Sequence, residues 1–239
     1  LNARDLSHYA RALGRRSKTD RVDAQLIARY LAHEYRSLHP HQLPTELQSQ
    51  VDDLIRRRHH LVVSRDAQRQ SFAQMSRKLC SVTALLRAFD RVIADIDGQL
   101  QALIAQDPAL ATHASHLRTM VGFGPLVSTA MAHAITRHPF KNGDAFIAYI
   151  GYDPRVRDSG QLRGKRFLSK RGPAELRRLL FTAAMSASRT KIWRPIYQRY
   201  RARGFSSTAT FTIIARKLAR IAFSIVRHCV PFQPERVQS

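Results

Sequence analysis

The sequence predicts a mainly α-helical protein, and three observations support that prediction. Apolar residues recur at the three- and four-residue spacing of a helix through most of the 239 positions. Between Thr45 and Gln106 only Gly98 interrupts this pattern, and proline is absent. Helix formers become sparse from Tyr152 to Pro173, where we expect a short β-hairpin or loop.

The first segment, residues 1–38, is predicted to end in a helix. Apolar side chains follow helical spacing after residue 20, and Thr19 has the chemistry of an N-cap. Pro40 and Pro44 then break the pattern and mark a boundary.

Asp20 and Asp23 stand three residues apart at the start of this helix, so their carboxylates share one face. Two carboxylates placed in this way can bind a hard divalent cation such as Mg²⁺. The same acids would also complement the dipole of a solvent-exposed helix start. The spacing alone leaves both interpretations open.

Residues 45–106 predict two long antiparallel helices that form a coiled-coil segment, with a break near residues 80–83. The first of these helices is rich in arginine. Its cations could form a solvated face or follow the phosphates of a nucleic acid, and the pattern favours neither. The arginines are Arg56, Arg57, Arg58, Arg65 and Arg69.

A third segment, residues 112–232, predicts a compact helical domain, and residues 233–239 form a tail. Gly122 and Gly124 predict a tight turn before a helix, as in one half of a helix-hairpin-helix unit, and N–H groups at such a helix start can bind a phosphate. Later helices are predicted near residues 142–151, 173–189, 191–204 and 208–228.

The charge balance indicates a polyanionic partner. Lysine and arginine total 40 against 17 acidic residues, which gives a formal charge of +23 and a pI near 11.4. Such an excess resists compaction unless a polyanion such as DNA or RNA neutralises it. Since no apolar run approaches the ~20 residues of a membrane span, we expect a cytoplasmic, nucleoid-associated protein with no membrane partner. Cys80 and Cys229 are predicted to be reduced thiols.

Ser159 stands beside Gly160 in a segment crowded with cations. A serine hydroxyl becomes a nucleophile when a base takes its proton, and guanidinium groups can hold the phosphoryl oxygens that it attacks. Ser-Gly is also a common turn, so the local chemistry predicts a phosphate-facing surface without fixing a reaction. The cations are Arg155, Arg157, Arg163, Lys165, Arg166, Lys170 and Arg171.

Four motifs occur in an order and at distances that resemble a known family. They read ARALGRRSKTDRVDAQLIA, VGFGPLVSTAMAHAI, FIAYIGYDPRVRDSG and LSKRGPAELRRLLF. Together they resemble the DEDD transposases of insertion sequences that move with a bridge RNA, which are relatives of the pilin-gene invertases. The resemblance extends over nearly the whole chain.

The resemblance implies an architecture and a metal site. Residues 1–38 would be the C-terminal end of an RNase H-like (RuvC-like) domain, 45–106 a coiled-coil linker, and 112–232 a serine transposase domain. Asp20 and Asp23 would be the last two of four acidic ligands for Mg²⁺. The first two acids lie upstream in family members, and the chain has no initiator Met, so we expect a fragment that is poorly active by itself.

The resemblance also implies a mechanism and partners. Ser159 would be the nucleophile that forms a covalent 5′-phosphoserine with DNA. A guide RNA, the bridge RNA, would pair with target and donor DNA. The working protein would be a homo-oligomer in which the metal and the serine can come from different chains.

Three other interpretations stay open at this point. One is a non-catalytic nucleic-acid-binding protein of the helix-hairpin-helix type. Another is a metal-only, RNase H-like nuclease that needs Asp20 and Asp23 but not the serine. The third is a truncated element with no remaining activity.

Overall fold

The computed structural model describes residues 3–14, 19–38, 42–75, 79–156 and 166–237. Over these residues the regular structure is helical apart from one two-stranded sheet, which confirms the mainly α-helical prediction. No helix in the described ranges is both long and apolar enough to cross a bilayer. The helices are α1 (Ala3–Ala12), α2 (Asp20–Glu34), α3 (Glu46–Ala73), α4 (Cys80–Ala105), α5 (Pro108–Arg118), α6 (Pro125–Arg137), α7 (Gly143–Ile150), α8 (Ala174–Ala187), α9 (Arg194–Ala202) and α10 (Ser207–His228). The strands are β1 (Pro154–Val156) and β2 (Arg166–Leu168).

The chain divides into two compact units, Leu1–Leu43 and Pro44–Ser239. In the first unit, α1 packs on α2 through an edge-to-face contact between Tyr9 and Tyr30, whose ring centroids are 5.1 Å apart. Helix α1 is an addition to the predicted elements, because ten residues give too few apolar repeats for periodicity to identify a helix.

The predicted N-cap of α2 is present. Thr19 has an extended backbone, and its hydroxyl accepts a hydrogen bond from the N–H of Val22 at 3.3 Å. The cap satisfies a backbone donor that has no partner inside the helix, so α2 begins at Asp20 as predicted.

Helices α3 and α4 pack against each other, and the break between them lies next to the predicted position. A capping box starts α3, because Thr45 and Gln48 exchange side-chain to backbone hydrogen bonds of 3.1 and 3.2 Å. Val51 and Ile55 of α3 and Leu100 of α4 are buried in the core.

Asp52 ties α3 to α6. Its carboxylate accepts a hydrogen bond from the buried ring of His133 at 3.0 Å and another from Arg137. Burial alone would raise the pKa of Asp52, but the hydrogen bonds and positive charge of His133 and Arg137 more than offset burial and lower that pKa. The Asp52 carboxylate is therefore ionised more readily in the folded protein than in the unfolded chain.

Helix α10 lies at the centre of the second unit and contacts α5, α6, α7, α8 and α9. The neighbouring helices approach closely because the buried faces of α8 and α10 are rich in alanine. The buried alanines are Ala183, Ala184, Ala187, Ala215, Ala219 and Ala222. Tyr152, just before β1, belongs to this core, and Leu168 of β2 packs against it.

Candidate functional site

The segment that contains Ser159 begins and ends on paired strands. Strands β1 and β2 run antiparallel, with Val156 opposite Arg166, so of the two predicted alternatives, hairpin or loop, the paired strands support the hairpin. Val156 and Arg166, the described residues that flank segment 157–165, therefore lie side by side. Four predicted site residues lie outside the described residues, namely Arg157, Ser159, Arg163 and Lys165.

The segments that flank the strands, residues 151–153 and 169–172, form what we call the hairpin base. The N–H of Ser169 donates to the carbonyl oxygen of Asp153 at 3.0 Å. The Ser169 hydroxyl also donates to the Asp153 carboxylate. The two chain segments are therefore joined by hydrogen bonds beyond the strands themselves.

Two glycines let the segments of the hairpin base cross. Gly151 ends α7 with a left-handed φ of +74°, and its carbonyl oxygen accepts a hydrogen bond from the N–H of Lys170 at 3.0 Å. A Cβ at Gly172 would lie 1.7 Å from the carbonyl oxygen of Tyr149. No side chain fits at that distance, so this crossing requires glycine at position 172.

Arg177 of α8 fixes the hairpin base from the core side. Its Nη1 donates to the carbonyl oxygen of Ile150 at 3.0 Å and to that of Gly172 at 2.6 Å. The hydroxyl of Tyr152 donates to the carbonyl oxygen of Arg177 at 2.7 Å. Burial raises the pKa of Tyr152 to about 12 against the opposing effect of the Arg177 charge, so the phenol stays protonated and donates this bond at neutral pH.

The predicted cations around the hairpin base face solvent where they are described. Arg155 is half exposed, and its Nε lies 3.9 Å from the Asp153 carboxylate. Lys170 and Arg171 are exposed, and Lys170 has a left-handed φ of +51°. Arg166 belongs to β2 through its backbone, and its side chain lies outside the described part of the structure.

Arg216 of α10 adds a cation that the sequence analysis does not single out. Burial and the charge of Arg220 lower its pKa, whereas Asp144 and Asp153 act in the opposite direction. Its Nε is buried and has no hydrogen-bond partner within the described ranges. In sequence, Arg216 is one of several cations on an amphipathic helix, so only the fold shows that it lies within electrostatic reach of the hairpin base.

The glycine turn lies between α5 and α6, but its two glycines have different surroundings. Gly122 has a φ of +91°, and a Cβ there would lie 2.5 Å from the carbonyl oxygen of Ala183. Gly124 is the exposed N-cap of α6, has a φ of −83° and is surrounded by open space. Gly122 therefore serves close packing on α8, and Gly124 is the position where the predicted phosphate contact has room.

Asp20 and Asp23 lie in the first turn of α2, which belongs to the other compact unit. Asp20 is exposed and Asp23 is partly buried. Within the residues that the structure describes, no cluster of three or more His, Cys, Asp or Glu side chains could hold a metal ion. The two acids thus form at most part of a ligand set, and their role in metal binding stays a prediction.

Comparison with known proteins assigns the chain to a family. Residues 1–80 match the model of DEDD-type transposases described as "Transposase", and residues 114–201 match that of the "Transposase IS116/IS110/IS902 family". The two matches together span most of the chain, and each includes one of the two candidate sites. The chain belongs to the IS116/IS110/IS902 transposase family.

Curated relatives of this transposase act on DNA according to their names. Pilin gene-inverting proteins from Moraxella bovis and Moraxella lacunata are each 29% identical to it over 229 residues. Each alignment covers 94% of this chain and 70% of the relative. Family membership makes the transposase a DNA-recombining enzyme with DNA as its partner.

Two of the five predicted α3 arginines hold α3 against α4 in the transposase. Arg58 makes hydrogen bonds of 2.5 and 2.9 Å to Asp97, and Arg65 makes one of 2.8 Å to Asp90. Arg65 follows Arg58 in α3, whereas its partner Asp90 precedes Asp97 in α4. The two helices therefore run antiparallel, as predicted. These guanidinium groups have carboxylate partners, and their structural role is to join the two helices.

The other three arginines of α3 are exposed. Arg56 pairs with Asp53 one turn away on the same helix. Arg57 and Arg69 make no ion pair in the part of the transposase that the structure describes. Of the five, these two cations are best placed to meet a phosphate from solvent, and nucleic-acid contact on α3 stays a prediction.

Sequence analysis of the transposase misses Arg177 and Tyr152. Both act on backbone carbonyl groups, and every residue type supplies a carbonyl, so no sequence pattern marks the partners. The one available signal is Gly172, which stands just before the helix start at Pro173. It does not show that the chain there passes close to Tyr149.

Proposed function

We propose that this transposase cuts and rejoins DNA through a covalent bond between Ser159 and a DNA phosphate, with Mg²⁺ at Asp20 and Asp23 and with a guide RNA selecting the target. The supporting observation is that strands β1 and β2, which flank segment 157–165 in the sequence, are paired and held by the hairpin base, inside the region that matches the transposase family. A nucleophile needs such support because small misplacements of reacting atoms cost large factors in rate.

The proposed reaction is a pair of transesterifications. The Ser159 hydroxyl oxygen forms a bond to phosphorus as the bond from phosphorus to the 3′ oxygen breaks. The serine proton passes to a base, the 3′ oxygen gains a proton, and the 5′ phosphate stays on the serine. A 3′-hydroxyl of another strand then attacks the same phosphorus and gives its proton to a base, and the bond from phosphorus to the serine oxygen breaks as that oxygen gains a proton. One phosphate ester replaces another in each step, so joining needs no nucleotide hydrolysis.

Cations at the hairpin base would bind the phosphoryl oxygens during these steps. Arg155 and Lys170 reach solvent beside the strands, and Arg216 offers a buried donor without a partner among the described residues. Charge that develops on a phosphoryl group is stabilised by such preorganised donors, and guanidinium groups can bind two oxygens at once.

Asp20 and Asp23 fit Mg²⁺ as two of its ligands. Both carboxylates lie in one helical turn, and Mg²⁺ prefers oxygen ligands and keeps several waters. The Thr19 hydroxyl is engaged by the N–H of Val22, so the cap leaves both carboxylates available. When bound, Mg²⁺ would neutralise charge on the phosphate oxygens.

A charge of +23 suits a protein that holds both RNA and DNA. Base pairing with a guide RNA would supply sequence choice while the protein contacts the backbones. We further propose a homo-oligomer in which the acids and the serine that act on one strand come from different chains.

A denaturing gel tests the serine mechanism. The protein, expressed from its complete reading frame, is incubated with its element's DNA and RNA and with Mg²⁺, and Ser159→Ala is compared with Ser186→Ala, an exposed serine of α8. We expect a covalent protein–DNA adduct from the wild type and Ser186→Ala only. Cleavage without an adduct would favour a metal-only nuclease, and binding without either product would favour a non-catalytic binding protein.

Mixing variants tests the shared site. Ser159→Ala and the double variant Asp20→Asn/Asp23→Asn should each be inactive alone and should recover strand transfer when mixed. No recovery in mixed oligomers would place both sites on the same chain.

Rewriting the target-pairing stretch of the RNA tests guidance by RNA. The change should redirect insertion, and unchanged insertion would contradict guidance by RNA.

A further inference from the structure

A cationic surface around α9 lies outside the sites described above. Between Glu175 and Glu235 the sequence contains no acidic residue. The cations on α9 or within five residues of it are all exposed, and we call them the α9 surface. They are Arg189, Lys191, Arg194, Arg199, Arg201 and Arg203.

Helix α9 directs these cations to solvent. Arg194, Gln198 and Arg201 are four and three residues apart, so they share one exposed face. The buried side chains of Trp193 and Ile196 hold the helix on the core. Because α9 is fixed by its apolar side, its charged face keeps one orientation.

Two aromatic rings position the guanidinium groups at the end of α9. Arg199 and Arg203 lie 5.8 and 5.6 Å from the ring centroid of Tyr200, and Arg203 lies 5.7 Å from that of Phe205. Arg201 donates to the carbonyl oxygen of Phe205 at 2.5 Å. A guanidinium stacked on a ring keeps its N–H edge available for a phosphate.

We infer that the α9 surface binds the phosphate backbone of duplex DNA. The inference rests on the proposed function only in taking DNA as the partner. Proteins that hold single strands stack bases on exposed aromatic rings. Here Tyr200 and Phe205 contact each other, with centroids 5.8 Å apart, and also contact arginines. Phe205 is 37% exposed, but its ring and that of Tyr200 are both engaged by Arg203, so the surface offers mainly guanidinium edges, which match phosphate oxygens.

The salt dependence of duplex binding tests this inference. Fluorescence anisotropy of a labelled duplex, without Mg²⁺ or RNA, compares Arg199→Ala/Arg203→Ala with Arg87→Ala/Arg91→Ala. Both pairs are exposed arginines four residues apart, and each variant removes two positive charges. We expect the α9 variant to lose about two units of the log–log salt slope and on the order of tenfold or more in affinity, and the α4 variant to lose much less.

An equal loss from both variants would show a general charge effect and overturn the inference. Weaker binding to a single strand or to RNA with duplex binding unchanged would overturn it as well. The variant Arg199→Lys/Arg203→Lys keeps both positive charges, so it separates an effect of lost charge from an effect on folding. It should keep most of the salt slope. If it loses as much slope as the alanine variant, phosphate contact is contradicted. The assay needs neither cleavage nor Ser159, so its failure and the failure of the adduct experiment are independent results.

Discussion

The helix start that carries Asp20 and Asp23 and the hairpin base, whose strands flank segment 157–165, are built in opposite ways. The helix start depends on one local contact, the bond from the Val22 N–H to the Thr19 hydroxyl. Its two acids are neighbours in sequence and share a face because of helical geometry alone. Such a site can be identified from a few consecutive letters.

The hairpin base depends on residues that are distant in sequence. Arg177 reaches the carbonyl oxygen of Ile150, and Gly172 passes so close to Tyr149 that a Cβ has no room. The proposed metal-binding acids and the proposed serine therefore differ in how sensitive they are to substitutions elsewhere in the protein. Substitutions far from the hairpin should disturb the serine, whereas those at α2 should have local effects.

The largest expected effect comes from Gly172→Ala. The new Cβ would overlap the carbonyl oxygen of Tyr149, so the backbone must move, at an expected cost of about 3 kcal/mol or more in the free energy of unfolding. Urea unfolding measures this cost, and adduct formation should fall with it. Gly98→Ala is the control, because Gly98 has open space on a helix and alanine there should add up to about 1 kcal/mol of stability. Equal behaviour of both variants would contradict the close crossing.

Arg177→Met should follow, with a loss of about 2–3 kcal/mol in unfolding free energy. The change removes two charge-assisted hydrogen bonds and leaves the carbonyl groups of Ile150 and Gly172 without their partner. Arg87→Met removes an exposed arginine from α4 and should cost much less. If the two variants unfold alike, the hairpin base does not depend on Arg177.

Asp52→Asn tests a carboxylate held by long-range contacts, and we expect a loss of about 1–2 kcal/mol at neutral pH after allowing for partial exposure. Because the fold lowers the pKa of Asp52, its contribution is present above the unfolded value of about 3.9 and is lost as the pH falls below it. The stability difference from the wild type should therefore stay constant above about pH 4 and shrink as the pH falls below about 3.8 in urea unfolding. Asp95→Asn, an exposed acid of α4, should show neither effect, and a pH-independent difference for Asp52→Asn would refute the assignment.

Thr19→Ala should give the smallest effect, about 0.5–1 kcal/mol, confined to α2. Hydrogen exchange should accelerate at the amides of the first turn and stay unchanged in α10. Thr19→Ser keeps the hydroxyl and should restore protection. A global loss of stability would show that the helix start depends on more than its cap.

Most helices could be predicted from the sequence because their signals are local. The Thr19 cap, the capped helix that starts after Asn142 and ends at Gly151, and the long apolar repeat of α10 all appear where the patterns place them. Helix α5 has only 11 residues, so apolar periodicity does not identify it. Its only sequence signals are the Asp107 cap and Pro108.

The roles of the charged residues could not be predicted to the same degree. Arg58 and Arg65 look like Arg57 in the sequence, yet they face α4 and bind Asp97 and Asp90. The choice depends on the register between two helices, which the packing of both apolar faces sets. A cation pattern on one helix therefore cannot separate an ion pair from a phosphate contact.

By itself, the sequence determined most of the helices, the break in helical structure after Tyr152, the excess of positive charge and the family motifs. These features depend on interactions between residues a few positions apart or on composition, which the chain carries in any conformation. Only the tertiary structure decided that Gly122 and Gly172 admit no side chain, that Arg177 supports the hairpin, and that the cations of α9 share a surface. The two glycines and Arg177 meet backbone carbonyl groups that packing brings close, and a backbone carbonyl has no letter in the sequence. The α9 surface depends on which side of that helix the core buries.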